Sequence, residues 1–170
     1  METNTTTRAP ESLPLTADLA DAPDLSSYDL IVVNTSGGKD SQTTLRVVVQ
    51  AAEAAGVRDR LIAVHADLPR AEWDGAKETA EAQAACYGVP FVTIRRVKGD
   101  LLDQVLERFE KRPDAPSWPS STARFCTSDH KRDPIAKVIR RAATSGRVLN
   151  CLGLRAEESP ARAKKSPPSR

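Results

Sequence analysis

The feature that most constrains the fold is the run Asp29-Leu30-Ile31-Val32-Val33-Asn34, which breaks into Ser36-Gly37-Gly38-Lys39-Asp40-Ser41. The run is β-branched, too short for a helix, and lacks the polar alternation of a strand with one wet face. It therefore predicts a strand covered on both sides, the condition of a parallel sheet. LIAVHADL (61 to 68) repeats the signature, FVTIRRV (91 to 97) supplies a third strand and RVLNCLGL (147 to 154) a fourth.

Helical spacing fills the gaps between these runs. Leu45, Val48, Val49 and Ala52 share one face of a helix that follows Ser41, with Gly56 as its stop. A second helix is expected from about Pro69 through Trp73, Ala76, Ala80 and Ala84 towards Gly88. Asp100 suits the cap of a third, burying Leu102, Val105, Leu106 and Phe109. Residues 111 to 123 carry Pro113, Pro116 and Pro119 and read as a loop or lid. Asp133-Pro134 then makes an N-cap and first helical position for a helix with Ile135, Val138, Ile139 and Ala142 on one face. Alternating strands and helices predict right-handed βαβ units, hence an α/β, Rossmann-like three-layer sandwich with a mainly parallel sheet of about four to five strands.

At 170 residues and 39% apolar composition, one modest domain is expected. Residues 1–27 read as a polar, disordered leader, 28–158 as the folded domain, and 159–170 as a basic, Pro/Ser-rich tail, in effect a shortened C-terminal region. No run has signal-peptide or membrane-spanning character, so a cytoplasmic protein is expected. Net charge is only +2, but from Arg124 onward there are 12 Lys or Arg against 4 Asp or Glu. That asymmetry favours an anionic ligand near the C-terminal third. No nucleic-acid recognition motif accompanies it.

In an open parallel sheet, ligands sit beyond the carboxyl ends of the strands, which is where SGGKDS falls. Gly37 and Gly38 permit positive φ and let main-chain N–H groups approach an anion. Ser36 and Ser41 offer hydroxyls, Lys39 a point charge, and the following helix the positive end of its dipole. Together these describe a phosphate or pyrophosphate cradle. It is neither GxxxxGK[ST] nor GxGxxG, because the glycines are adjacent.

The SGGKDS stretch resembles the SGGxDS loop of the PP-loop (adenine nucleotide α-hydrolase-like) superfamily. Cys126-Thr-Ser-Asp-His-Lys131-Arg-Asp-Pro134 is similar to the Cys…Lys-x-x-Pro segment of phosphoadenylyl-sulfate (PAPS) and adenylyl-sulfate reductases. Gly153-Leu-Arg155-Ala-Glu-Glu158-Ser159-Pro-Ala-Arg162 resembles their G-x-R-x-x-[EQ]-S-x-x-R segment. The resemblance implies an adenine nucleotide (PAPS, adenylyl sulfate or ATP) and sulfur-related chemistry, with Mg²⁺ if ATP is used. It also implies that Ser36, Gly37, Gly38, Lys39, Asp40 and Ser41 hold the phosphate or sulfate end. Asp67, Lys131, Arg155 and Arg162 would complete the lining, and Lys39 and Cys126 would be the catalytic candidates. A thioredoxin-like reductant and a homodimer are compatible with that family. The other enzymatic reading is an ATP pyrophosphatase-type ligase or sulfurtransferase, and the reading from another class is a nucleotide-binding subunit without chemistry of its own.

Cysteine chemistry narrows the reductase reading. The chain holds Cys86, Cys126 and Cys151, widely spaced and without a CxxC pair, so neither a disulfide framework nor an iron–sulfur cluster within one chain is expected. Cys126 lies near Arg124, His130 and Lys131, a neighbourhood that favours thiolate. Cys86 and Cys151 are expected in the core, His65 as a buried or loop-lining histidine, Trp73 in packing, and Trp118 as a lid anchor or stacking surface.

Overall fold

The structure is a computed structural model that describes residues 22–143, 146–155 and 164. Four parallel strands form one sheet in the order β3-β2-β1-β4: β1 Leu30–Thr35, β2 Leu61–Ala66, β3 Phe91–Ile94 and β4 Val148–Cys151. Sequence order runs outward from β1 to β3 on one side and returns to β4 on the other. The switch point, where connections diverge to opposite faces, therefore lies between β1 and β4.

Alternate residues of β1 feed two cores. Ile31 and Val33 join Leu61 and Ala63 under Leu45, Val49 and Ala52 of α1 (Lys39–Ala54) and Ala84 of α2 (Ala76–Cys86). Val32 joins Val64 and Ala66 on the opposite face. Leu101 and Val105 of α3 (Leu101–Lys111), Phe125 of α4 (Phe125–Thr127) and Ile135 of α5 (Asp133–Ala143) cover that face. This is a Rossmann-like α/β sandwich of three layers. Burial on both faces explains why the strand runs lack polar alternation. Among the described residues, no helix is long and apolar enough to cross a membrane.

Several elements differ from the sequence expectation. Order begins before Tyr28: Asp24 caps a 3-10 turn over Leu25–Ser27, Leu25 packs on the core, and Arg60 Nη1 donates to the carbonyls of Ser26 and Tyr28 at 3.0 and 2.8 Å. The first helix starts at Lys39 rather than after Ser41, with Gly38 as its N-cap. The second starts at Ala76, because Pro69–Asp74 form turns pinned by Arg70, whose guanidinium bridges Asp100 and Asp103. Trp73, expected in packing, lies in that turn region and is 59% exposed.

In α3 the buried stripe is Leu101, Gln104 and Val105, so Leu106 is turned away by about 140° from Leu101 and is exposed along with Phe109. Cys86, expected in the core, is also exposed, since it lies about 200° round α2 from Ala84. Cys151 is partly buried against the α1/α2 core, and burial raises its thiol pKa to about 11.

Asp133 does not cap a new helix. Helical backbone runs from Phe125 through a π-helical segment, Ser128–Arg132, straight into α5, and Asp133 itself is αR. Pro134 has no N–H to give to the residue four back, and the wider π turn just before it absorbs that missing bond.

Candidate functional site

The carboxyl ends of the strands open into a cavity of about 1560 Å³. Asn34 to Ser36, Asp40 and Ser41 form one wall, and Ala66, Leu68 and Glu72 a second. Asn150 and Leu152 to Leu154 continue it across the switch point, and Trp118, Ala123 to Ser128, Lys131 and Arg132 form the far side. Three segments far apart in sequence thus meet at one crevice: Ser36, Asp40 and Ser41 of the glycine turn, Cys126 to Ser128 with Lys131 and Arg132, and Gly153 with Leu154.

The turn is built by its own side chains. Gly37 has φ +75° and is buried, and a Cβ there would stand 2.5 Å from the carbonyl oxygen of Ala76. Its glycine is therefore required by the docking of α2, not by approach of an anion. Gln83 Nε2 donates to the Gly37 carbonyl at 3.1 Å and secures the contact. Ser41 is not a free donor: its hydroxyl accepts from Ser36 N at 3.2 Å and donates to Gly38 O at 2.8 Å. Gly38, Lys39 and Asp40 still present the N–H groups of the first turn of α1, which have no acceptor within the helix. Lys39 is exposed and is not part of the cavity wall.

Gly153 locks the other motif onto this turn, because a Cβ there would lie 2.5 Å from Thr44 Oγ1 and 3.1 Å from the Asp40 carbonyl. Arg155 Nε pairs with Asp40 Oδ2 at 3.2 Å. The arginine expected to hold an anion is here paired with the turn. Arg162 lies outside the described residues. Asp67 is not on the cavity wall; its carboxylate pairs with Arg95 at 2.5 Å.

The far side carries most of the charge. Lys131 faces the cavity, and its Nζ meets Glu72 Oε1 at 3.1 Å. Glu72 Oε2 is 3.5 Å from Nε2 of the fully buried His65. His65 Nδ1 faces the Thr35 carbonyl at 3.1 Å and so carries the proton. Arg124 lines the cavity with no side-chain partner among the described residues, and Arg108 stacks over the Phe125 ring at 4.6 Å. Cys126 is half-buried on the same wall, with its sulfur 3.8 Å from Thr127 Oγ1.

A buried amide fixes the π segment that presents these groups. Gln104 Nε2 donates to Asp129 Oδ2 at 2.8 Å, so its Oε1 must accept from His130 Nε2, 2.6 Å away. Burial, helped by Arg96, holds the His130 pKa below the ordinary value. Hydrogen bonds from Ser128 and then Gln104 hold Asp129 below the ordinary carboxylate value. The imidazole N–H and the carboxylate thus meet the oxygen and one N–H of the same amide.

Sequence reasoning missed Asn34, Glu72, Gln104 and Asn150. The available signal was a polar residue interrupting an otherwise buried run, as Asn34 does in IVVNT and Asn150 in VLNC. The chain is a Rossmann-like α/β protein with a crevice at its topological switch point. No protein-family model matches this chain, and no curated protein does. Among solved structures, the chain is similar to one titled "Crystal structure of universal stress protein in complex with cAMP", at 16% identity and a TM-score of 0.31. The match covers 75% of this chain and 99% of that one. At that TM-score the likeness carries no argument; the fold rests on the sheet order itself.

Proposed function

We propose that this chain is a PAPS reductase-like enzyme of the PP-loop type, which binds an adenine nucleotide in the crevice and serves sulfur chemistry on it. The observation that carries the reading is the meeting of the SGGKDS turn, the Cys126–Arg132 segment and Gly153–Arg155 around one cavity at the switch point. An anionic end belongs near Arg124, Lys131 and Arg132, the cations that line the far side of the cavity. Cys126 is the thiol on the wall, so a nucleophilic role at sulfur falls to it. Among the described residues no trio of His, Cys, Asp or Glu is grouped to hold a metal. Asp40 and Glu72 are each already paired with a cation. Magnesium would therefore enter on the phosphates of ATP, with at most one of these carboxylates turned towards it.

Calorimetry with PAPS, adenylyl sulfate and ATP tests the binding. One of them binds in the micromolar range, and Lys131→Ala weakens it roughly 10- to 100-fold, the loss of a charge-assisted hydrogen bond. Absence of binding by all three, or a Lys131→Ala variant with unchanged affinity, refutes the site. Thioredoxin-dependent sulfite release that disappears in Cys126→Ser supports the reductase chemistry. Pyrophosphate release from ATP would assign the adenylating reaction instead.

A further inference from the structure

We propose that Asn150, held in place by Asn34, is a specificity-determining contact for the neutral ring of the ligand, reading a hydrogen-bond acceptor on its edge. The inference rests on the nucleotide reading above and names the part of the nucleotide that this side of the crevice takes. The two amides sit on the adjacent strands β1 and β4, which flank the switch point, and both line the cavity.

Their orientation follows from chemistry. Asn34 reaches two acceptor positions, the Cys151 carbonyl at 2.7 Å and the Asn150 side chain at 2.7 Å. A carbonyl oxygen can only accept, so the group facing Cys151 is Asn34 Nδ2, and the Asn150 atom beside it must be Oδ1. Asn34 thereby spends one amide hydrogen on the Asn150 side chain and the other on the carbonyl of the next residue in the same strand. Its own Oδ1 is left buried without a partner. A buried orphan acceptor is unfavourable and calls for a reason. Presenting Asn150 is that reason.

Asn150 is exposed, its oxygen is occupied, and its Nδ2 has no acceptor among the described residues. It offers donors alone. The cavity also offers apolar surface on the β4 side: Leu152 and Leu154 are large hydrophobic side chains 52% and 46% exposed, and Ile135 and Ile139 come from α5, which packs against β4. Apolar faces with one fixed amide donor suit a planar heterocycle whose edge carries a ring nitrogen or carbonyl. The cations Arg124, Lys131 and Arg132 lie across the cavity on the π segment and its approach, which leaves the charged end of the ligand to that side.

The test compares ATP with inorganic tripolyphosphate, which has the charge but no ring, on the full chain. Asn150→Ala weakens ATP about tenfold and leaves tripolyphosphate within about twofold. Asn150→Asp keeps the acceptor for Asn34 and removes the donors; ATP then loses at least about fivefold more than tripolyphosphate, which reports the added charge alone. Equal losses for the two ligands in either variant, or unchanged ATP affinity, overturn the inference. Failure of the unaltered protein to bind any of ATP, PAPS and adenylyl sulfate overturns the nucleotide reading itself, and this inference with it; where PAPS or adenylyl sulfate binds and ATP does not, that nucleotide replaces ATP in the comparison and the same outcomes decide. Tripolyphosphate bound as tightly as ATP leaves the anion site standing and overturns the ring contact alone.

Discussion

Gly37 shows how one residue type serves a different purpose from the one its motif suggests. In sequence, two adjacent glycines read as room for an anion. In the fold, Gly37 is in the left-handed region and faces the α2 backbone, whereas Gly38 has φ −81°, a value any residue adopts. Gly37→Ala therefore combines left-handed strain with a backbone clash and costs about 2–4 kcal/mol, read as a lowered urea midpoint at unchanged slope. Gly38→Ala meets only Ser36 Oγ at 3.6 Å and loses less than about 1 kcal/mol. Equal losses in the two variants would contradict the assignment. Lys39 and Lys131 diverge in the same way. Both are lysines in motif positions, but only Lys131 reaches the cavity, because the π turn carries it there while Lys39 opens α1 on the solvent side.

Among the elements, α3 is the best anchored at its start. Asp100 accepts from Asp103 N, Asp103 returns the bond to Asp100 N, and Arg70 clamps both carboxylates. The Arg70 guanidinium, followed by the Asp103 N–H, brings the Asp100 carboxyl pKa down from about 4 to about 2. A carboxyl whose folded value is depressed stabilises the protein above its ordinary value and loses that contribution as pH falls towards the folded value. Asp100→Ala is expected to cost about 1–2 kcal/mol at pH 7, chiefly as a lost cap. The gap between the parent and variant should shrink between about pH 4 and pH 2, measured by urea unfolding across that range. A gap independent of pH would place the stabilisation elsewhere. Asp100 as a cap was legible in sequence because capping is local. Which face of α3 is buried was not, since Leu102, Leu106 and Phe109 are as apolar as Leu101 and Val105, and only the sheet decides among them. The π segment was equally hidden: Asp133-Pro134 is a strong local start signal, overridden by a continuous helix whose side chains pack on Gln104.

At the scale of the whole molecule, the sheet order 3-2-1-4 makes the site. It puts β1 and β4 side by side, so that the turn after one and the loop after the other face each other across the crevice. The N-terminal turn contributes to holding that sheet: Leu25 packs on the α1/α2 core, and Arg60 binds the Ser26 carbonyl. Removing residues 1–27 should therefore lower the melting temperature by roughly 3–8 °C relative to removing 1–21, equivalent to about 1–2 kcal/mol. Equal melting temperatures would show that the capped turn adds nothing.

By itself the sequence determined what is periodic or local: four β-branched runs, the alternation that forces a parallel sheet, the Asp100 cap, and the glycine turn at the end of the first strand. Tertiary structure decided what depends on chain segments meeting. It chose which apolar stripe of α3 faces the sheet, tied Arg155 to Asp40, set Glu72 between Lys131 and His65, and aimed the Asn150 amide into the crevice. The physical reason is one of range. Backbone propensities and side-chain period act over a few residues and are written in order along the chain. A hydrogen bond across 116 residues, as between Asn34 and Asn150, exists only after the sheet has brought its ends together.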